Sequence, residues 1–117
     1  LATYCGYPDA ERDNRIMEMN FGDWEMKNFD EISDPRLKEW YADYINVPAT
    51  NGESFAIQYQ RVASFLDELR EKNYEKVAIF AHGGVLICAQ LYAGAIKLEE
   101  AFSALTPYGG IIQLKLD

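Results

Sequence analysis

The sequence predicts an α/β sandwich, with helices packed on a buried sheet. Three observations carry that prediction. Residues 53 to about 72 place Phe55, Tyr59, Val62, Leu66 and Leu69 on one stripe with charges opposite, the pattern of an amphipathic helix. Residues 77–81, Val-Ala-Ile-Phe-Ala, form a short uninterrupted apolar run of the kind that makes a strand buried on both faces. Ile112, Leu114 and Leu116 alternate with Gln113 and Lys115, the period of a final strand.

The remaining elements follow along the chain. Leu1-Ala2-Thr3-Tyr4-Cys5-Gly6-Tyr7 has no initiator methionine and reads as the last turn of a helix ending at Gly6. The sequence is therefore expected to be the carboxyl-terminal piece of something longer, with residues 1–117 part of a single domain. After a polar stretch over 9–15, residues 16–21 alternate as a short strand or extended segment. Ile16, Glu18 and Asn20 fall on one side, and Met17, Met19 and Phe21 on the other. Gly22-Asp23 closes it in a turn. Asp34-Pro35 starts a helix, with Asp34 as N-cap and Pro35 first inside. Leu37, Trp40, Tyr41 and Tyr44 define its apolar face. A loop over 48–52 leads into the long helix, which Asn73 and Tyr74 end. Residues 85–95 are apolar on nearly every side and predict an interior helix. Residues 98–105 predict a further helix or loop, and Pro107-Tyr108-Gly109-Gly110 a turn before the last strand.

At 117 residues the chain is one domain at most, and an apolar fraction of 49% with 14% aromatic supports a packed core rather than disorder. Eleven basic against nineteen acidic residues give a net charge of −8, so no nucleic-acid partner is expected. A small phosphorylated ligand remains compatible, because a site is local and net charge global. No apolar run reaches membrane-spanning length, the longest being interrupted by Gln90 and Gly94. Cys5 and Cys88 lie far apart without a second ligand at metal spacing, so neither a metal nor another cofactor is expected. Cys88 reads as a buried free thiol, which suits a reducing compartment and a cytoplasmic protein.

His82 is the only histidine, placed where the apolar run 77–81 ends and Gly83-Gly84 begins. Open α/β sheets bind ligands at the carboxyl ends of their strands. A histidine changes charge near neutral pH, and glycines let a ligand approach the backbone. Taken alone, His82 also fits a packed strand-end histidine. Ser54 reads as a helix-start cap, Arg61 as the partner of a nearby carboxylate, Glu25 as solvent-facing, and Trp24 and Trp40 as core or pocket wall.

Three patterns occur in order: Glu18-Met19-Asn20-Phe21-Gly22-Asp23-Trp24-Glu25, then Asn51-Gly52-Glu53-Ser54, then Ala81-His82-Gly83-Gly84-Val85. Together with Trp40 and Tyr108-Gly109 they resemble the histidine phosphatase (phosphoglycerate mutase-like) superfamily over nearly the whole chain, and within it most of all the α-ribazole phosphatases of cobalamin synthesis. The resemblance implies a three-layer α/β/α sandwich with a mostly parallel sheet and phosphomonoester hydrolysis through a phosphohistidine. By the matching positions, Glu18 is the acid/base and His82 the second, phosphate-holding histidine. Gly83 and Gly84 add backbone N–H groups at a helix start that favours anions. The implied partner is a small phosphorylated substrate. Metal is not needed, because arginines and histidines neutralise the phosphate.

The family's R-H-G motif, with its nucleophilic histidine, occurs nowhere in these residues, and neither does the S-P-L-x-R segment. Those groups, and the central sheet strand that bears R-H-G, are expected upstream of Leu1. These residues alone are then expected to be inactive, and unstable or paired along 77–81 with another chain or with the amino-terminal segment. Met26 stands where glycine is usual, and Ala81 where a hydroxyl residue is usual. A phosphoglycerate mutase, a broad sugar-phosphate phosphatase and a non-catalytic binding domain stay open as alternatives.

Overall fold

A computed structural model of the chain describes residues 1–116. Among the described residues there are three α-helices, α1 (Arg36–Ala42), α2 (Phe55–Glu71) and α3 (Gly83–Tyr92), five single 3-10 turns, and no β-strand. The chain divides into two compact units, one made of Leu1–Glu18 with Val62–Asp117 and the other of Met19–Arg61.

The helices form where periodicity and caps place them. Helix α2 starts after the buried Ser54, whose hydroxyl accepts a hydrogen bond from the Ile57 N–H at 3.3 Å, as a capping serine does. Its stripe is confirmed: Phe55, Val62 and Leu66 are buried, with Tyr59 and Leu69 half-buried. Helix α1 begins one residue later than expected. The Asp34 carboxylate still caps it, accepting from the Arg36 N–H at 2.9 Å. It ends at Ala42, so Tyr44 lies beyond it, and Tyr41 faces solvent. Helix α3 buries Val85, Ile87 and Cys88 and ends at Tyr92, three residues short of the expected 95. There the Ala95 N–H reaches the Gln90 carbonyl and the Gly94 N–H that of Leu91, the Schellman closure. The same pair of bonds, Tyr7 N–H to Ala2 and Gly6 N–H to Thr3, forms the helix-ending geometry read at Gly6.

In the first unit, Val62 and Leu66 of α2 and Val85 and Cys88 of α3 are buried, Cys88 completely. The expected parallel sheet is not seen among the described residues. Neither 77–81 nor 112–116 makes backbone ladder bonds among the described residues, and 16–21 forms none either. A strand is defined by the neighbours that bond its alternate N–H and C=O groups. These segments find no such neighbour within the described residues, and Val77 stays 50% and Ile79 37% exposed. Both segments instead border a cleft of about 770 Å³, where Val77, Ile79, Ile112 and Leu114 face Leu66 and Val85. Residues 98–105 hold two 3-10 turns, Leu98–Glu100 and Phe102–Ala104.

The second unit is an aromatic cluster closed by a loop-to-loop clasp. Trp40 is buried against Trp24 edge-on at 5.9 Å, with Phe29, Phe21 and Tyr44 around it. Asp34 ties this cluster together, accepting from Trp24 Nε1 at 3.2 Å and Thr50 Oγ1 at 2.5 Å. The Thr50 hydroxyl bond, with the Arg36 N–H, holds its carboxyl below the usual carboxylate range. In the clasp, the Glu53 N–H donates to the Asn20 carbonyl at 2.7 Å, and the Glu53 carboxylate accepts from the Asn20 N–H at 2.8 Å. The same carboxylate pairs with Arg61 Nε at 2.8 Å, the partnership read for Arg61 in the sequence. The Arg61 bond keeps the Glu53 carboxyl ionised at lower pH than usual.

Candidate functional site

The first unit brings together two residues that stand 66 positions apart. The Gly84 N–H, in the opening turn of α3, donates to Glu18 Oε2 at 3.2 Å. The first N–H groups of a helix have no partner inside it, and the helix dipole puts partial positive charge there. A carboxylate is the side chain such an end favours, so the contact has a local physical cause. Glu18 is half-buried, which keeps one oxygen on the helix while leaving access from solvent.

His82 is the N-cap residue of α3, with extended backbone (φ −122°, ψ 166°) that turns the chain from 77–81 into the helix. Its side chain is exposed and makes no capping hydrogen bond, and its carbonyl accepts from the Leu86 N–H. An imidazole, a carboxylate and helix N–H donors thus gather at one helix start. Leu105 completes the surroundings: its Cδ1 lies 2.7 Å from where a Cβ on Gly83 would be, so a side chain there would make Leu105 shift.

The segment leading to Glu18 is held in place by Arg15, a residue that sequence reasoning missed. Its guanidinium bonds Asp13 at 2.7 Å and Glu68 of α2 at 2.8 Å, and it lies 5.4 Å over the Phe65 ring. The side-chain bond from Arg15 brings the Asp13 carboxyl down to about 2. The charge pattern Asp13…Arg15 was visible in the sequence, but nothing local pointed to Glu68, 53 residues away.

The match to a family model settles the lineage, since the model for the histidine phosphatase superfamily (branch 1) covers residues 1–117. The chain belongs to that superfamily. Histidine phosphatases are α/β proteins, which carries the coarse fold class although no strand is paired among the described residues. The chain is 28% identical over 108 residues to a Hydrogenobacter thermophilus protein named "Putative phosphoserine phosphatase 2", covering 90% of this chain and 53% of that one. It is 36% identical over 75 residues to the adenosylcobalamin/alpha-ribazole phosphatase of Escherichia coli, and 34% identical over 75 residues to that of Salmonella typhimurium. Each match covers 61% of this chain and 37% of the relative. The chain thus spans about half the length of the first of these relatives, and less of the other two.

Within this histidine phosphatase chain, Glu18, His82, Gly83 and Gly84 share one region of the first unit. Ser54, Arg61, Trp24 and Trp40 take the capping, pairing and core positions read for them. Glu25 is exposed as expected, and it also accepts from the Phe21 N–H at 2.7 Å. Among the described residues no group of three or more His, Cys, Asp or Glu side chains is arranged to hold a metal ion, and no helix is long and apolar enough to cross a membrane.

Proposed function

We propose that this chain is the carboxyl-terminal part of a histidine phosphatase domain that hydrolyses a small phosphomonoester through a phosphohistidine. The observation that carries the reading is the Glu18 carboxylate held by the Gly84 N–H in the opening turn of α3, whose N-cap is His82, an acid/base at an anion-favouring helix start. In the first step a histidine contributed from outside this sequence attacks phosphorus, and the P–O bond to the alcohol breaks. Glu18, protonated, gives its proton to the departing oxygen. In the second step the Glu18 carboxylate takes a proton from water as that water attacks phosphorus, the P–N bond breaks, and inorganic phosphate leaves. His82 and the Gly83 N–H hold the phosphoryl oxygens, and the Gly84 N–H joins them as the Glu18 carboxyl swings from it toward the reacting oxygen; such donors lower the cost of developing charge.

The substrate we propose is α-ribazole phosphate, on the strength of the two relatives so named at 36% and 34% identity. Cys5 is exposed and Cys88 buried, with no disulfide between them, which suits a reducing compartment, and we place the activity in the cytoplasm. The test is Glu18→Gln in the full-length protein. Loss of a positioned acid/base is expected to lower kcat by about 10²–10⁴ with the thermal transition retained. Turnover equal to wild type, with a phosphomonoester and a folded variant, overturns the assignment.

A further inference from the structure

We infer that Arg15 is a positioning residue for Glu18, fixing the stretch of backbone from which the acid/base reaches the departing oxygen. The inference rests on the phosphatase reading and adds to it a residue that touches no substrate. Residues 13–17 form one closed turn: the Asp13 carboxylate accepts from the Arg15 N–H at 2.8 Å, and the Met17 N–H donates to the Asn14 carbonyl at 3.3 Å. Met17 is the C-cap of that turn, and Glu18 is the next residue. The Arg15 side chain then ties the turn to α2. Its Nε and Nη2 donate to the two Asp13 oxygens at 3.0 and 2.7 Å, a bidentate grip that fixes direction as well as distance. On α2, Nη2 donates to Glu68 at 2.8 Å and Nη1 to Ser64 Oγ at 3.4 Å, while the guanidinium lies 5.4 Å over the Phe65 ring.

A surface ion pair alone holds little in place, because water and side-chain freedom compete with it. Arg15 differs: its side chain is 31% exposed, and its fork engages the turn and the helix at once. The acid/base depends on that anchor. At 3.2 Å the Glu18 bond to the Gly84 N–H lies at the long end of the range for such bonds. A glutamate carboxyl also keeps considerable rotamer freedom about its own stem. The proposed reaction further requires this carboxyl to leave the Gly84 N–H for the departing oxygen. Its reach is then set by the Glu18 backbone, and that backbone follows directly from the turn that Arg15 fastens to α2.

The test measures kcat/KM of the full-length protein on glycerol phosphate and on p-nitrophenyl phosphate, which reports the step that breaks the P–O bond. The alkoxide leaving from glycerol phosphate needs a proton, whereas p-nitrophenolate spreads its charge over the ring and leaves without one. A misplaced acid therefore costs the first ester and spares the second, while a general loosening of the fold costs both. Arg15→Met keeps an unbranched chain over Phe65 and none of the ionic bonds. It is expected to lower kcat/KM for glycerol phosphate about ten- to a hundredfold, and that for p-nitrophenyl phosphate less than about twofold. Glu68→Ala removes only the ion pair to α2 and should show the same split, which decides the matter if Arg15→Met does not fold. In a Glu18→Gln background Arg15→Met should cost glycerol phosphate turnover nothing more, because a positioning residue acts only through the group it positions. Equal losses on the two esters, an unchanged glycerol phosphate value in the folded variants, a further loss in the Glu18→Gln background, or a wild type active on the aryl ester alone overturns the role of Arg15 and leaves the phosphatase reading standing. A folded wild type that hydrolyses neither ester overturns both.

Discussion

Replacing Gly52 by alanine tests the clasp of the second unit. A Cβ at Gly52 would stand 2.4 Å from the Asn20 carbonyl oxygen, 2.7 Å from Gly22 N and 2.9 Å from the Phe21 carbonyl carbon, all backbone atoms. The shortest of these is roughly 1 Å inside van der Waals contact, so the two loops must separate by about that much. Three hydrogen bonds cross the gap: Glu53 N–H to Asn20 O at 2.7 Å, Asn20 N–H to Glu53 Oε1 at 2.8 Å, and Asp23 N–H to Thr50 O at 2.9 Å. Lengthened by about 1 Å, none of them remains a hydrogen bond. At about 1 kcal/mol each, the expected loss is about 3 kcal/mol, a large part of the ~5–15 kcal/mol of a typical domain. Urea unfolding followed by tryptophan fluorescence reports it directly, because Trp24 and Trp40, the chain's two tryptophans, are both buried in this unit. A Gly52→Ala midpoint equivalent to less than about 0.5 kcal/mol of change would show that the loops yield without losing their bonds, and the reasoning from close approach fails.

Two further outcomes follow from backbone strain and charge. Met26 has φ +62° and a fully exposed side chain, so Met26→Gly relieves the left-handed conformation without removing a contact. It should stabilise the unit by about 0.5–1 kcal/mol in the same urea assay, and a destabilised variant contradicts this. The Asp13 carboxyl titrates near 2 in the folded chain against its ordinary 3.8, because Arg15 bonds its ionised form. A folded value below the unfolded one means that the stabilisation is complete above about pH 4 and is lost as pH falls toward 2. The unfolding midpoint of Asp13→Asn should therefore fall less steeply than that of wild type between pH 4 and pH 2; parallel curves would remove Arg15–Asp13 from the account.

What the sequence made legible was local. Helix α2 could be read because its stripe repeats over 17 residues and Ser54 caps it. Asp34 could be read because a cap acts within two residues of itself. Long-range partners were legible only through the motifs. The Glu18 segment and the Ala81-His82-Gly83-Gly84 segment meet through one hydrogen bond across 66 positions, and no periodicity links them. Arg15 stayed hidden for the same reason, its partner on α2 being distant in sequence and its own neighbourhood merely polar.

The missing ladder separates two properties that usually occur together in a strand. Ile112, Leu114 and Leu116 are half-buried while Ile111, Gln113 and Lys115 are exposed, so the alternation read from the sequence does set which side chains are sheltered from water. That choice depends only on apolar burial against α2 and α3, which these residues contain. Ladder bonds depend instead on a neighbouring extended backbone, and hydrophobic pattern says nothing about where that neighbour comes from. Residues 77–81 show the same separation from the other side. Their composition asks for burial on both faces, yet Val77 and Ile79 keep much of their surface in water because helices can cover only one face of an unpaired segment. An apolar run that predicts a central strand is therefore a statement about two neighbours as well as about itself, and only the helical part of that requirement is met by the described residues.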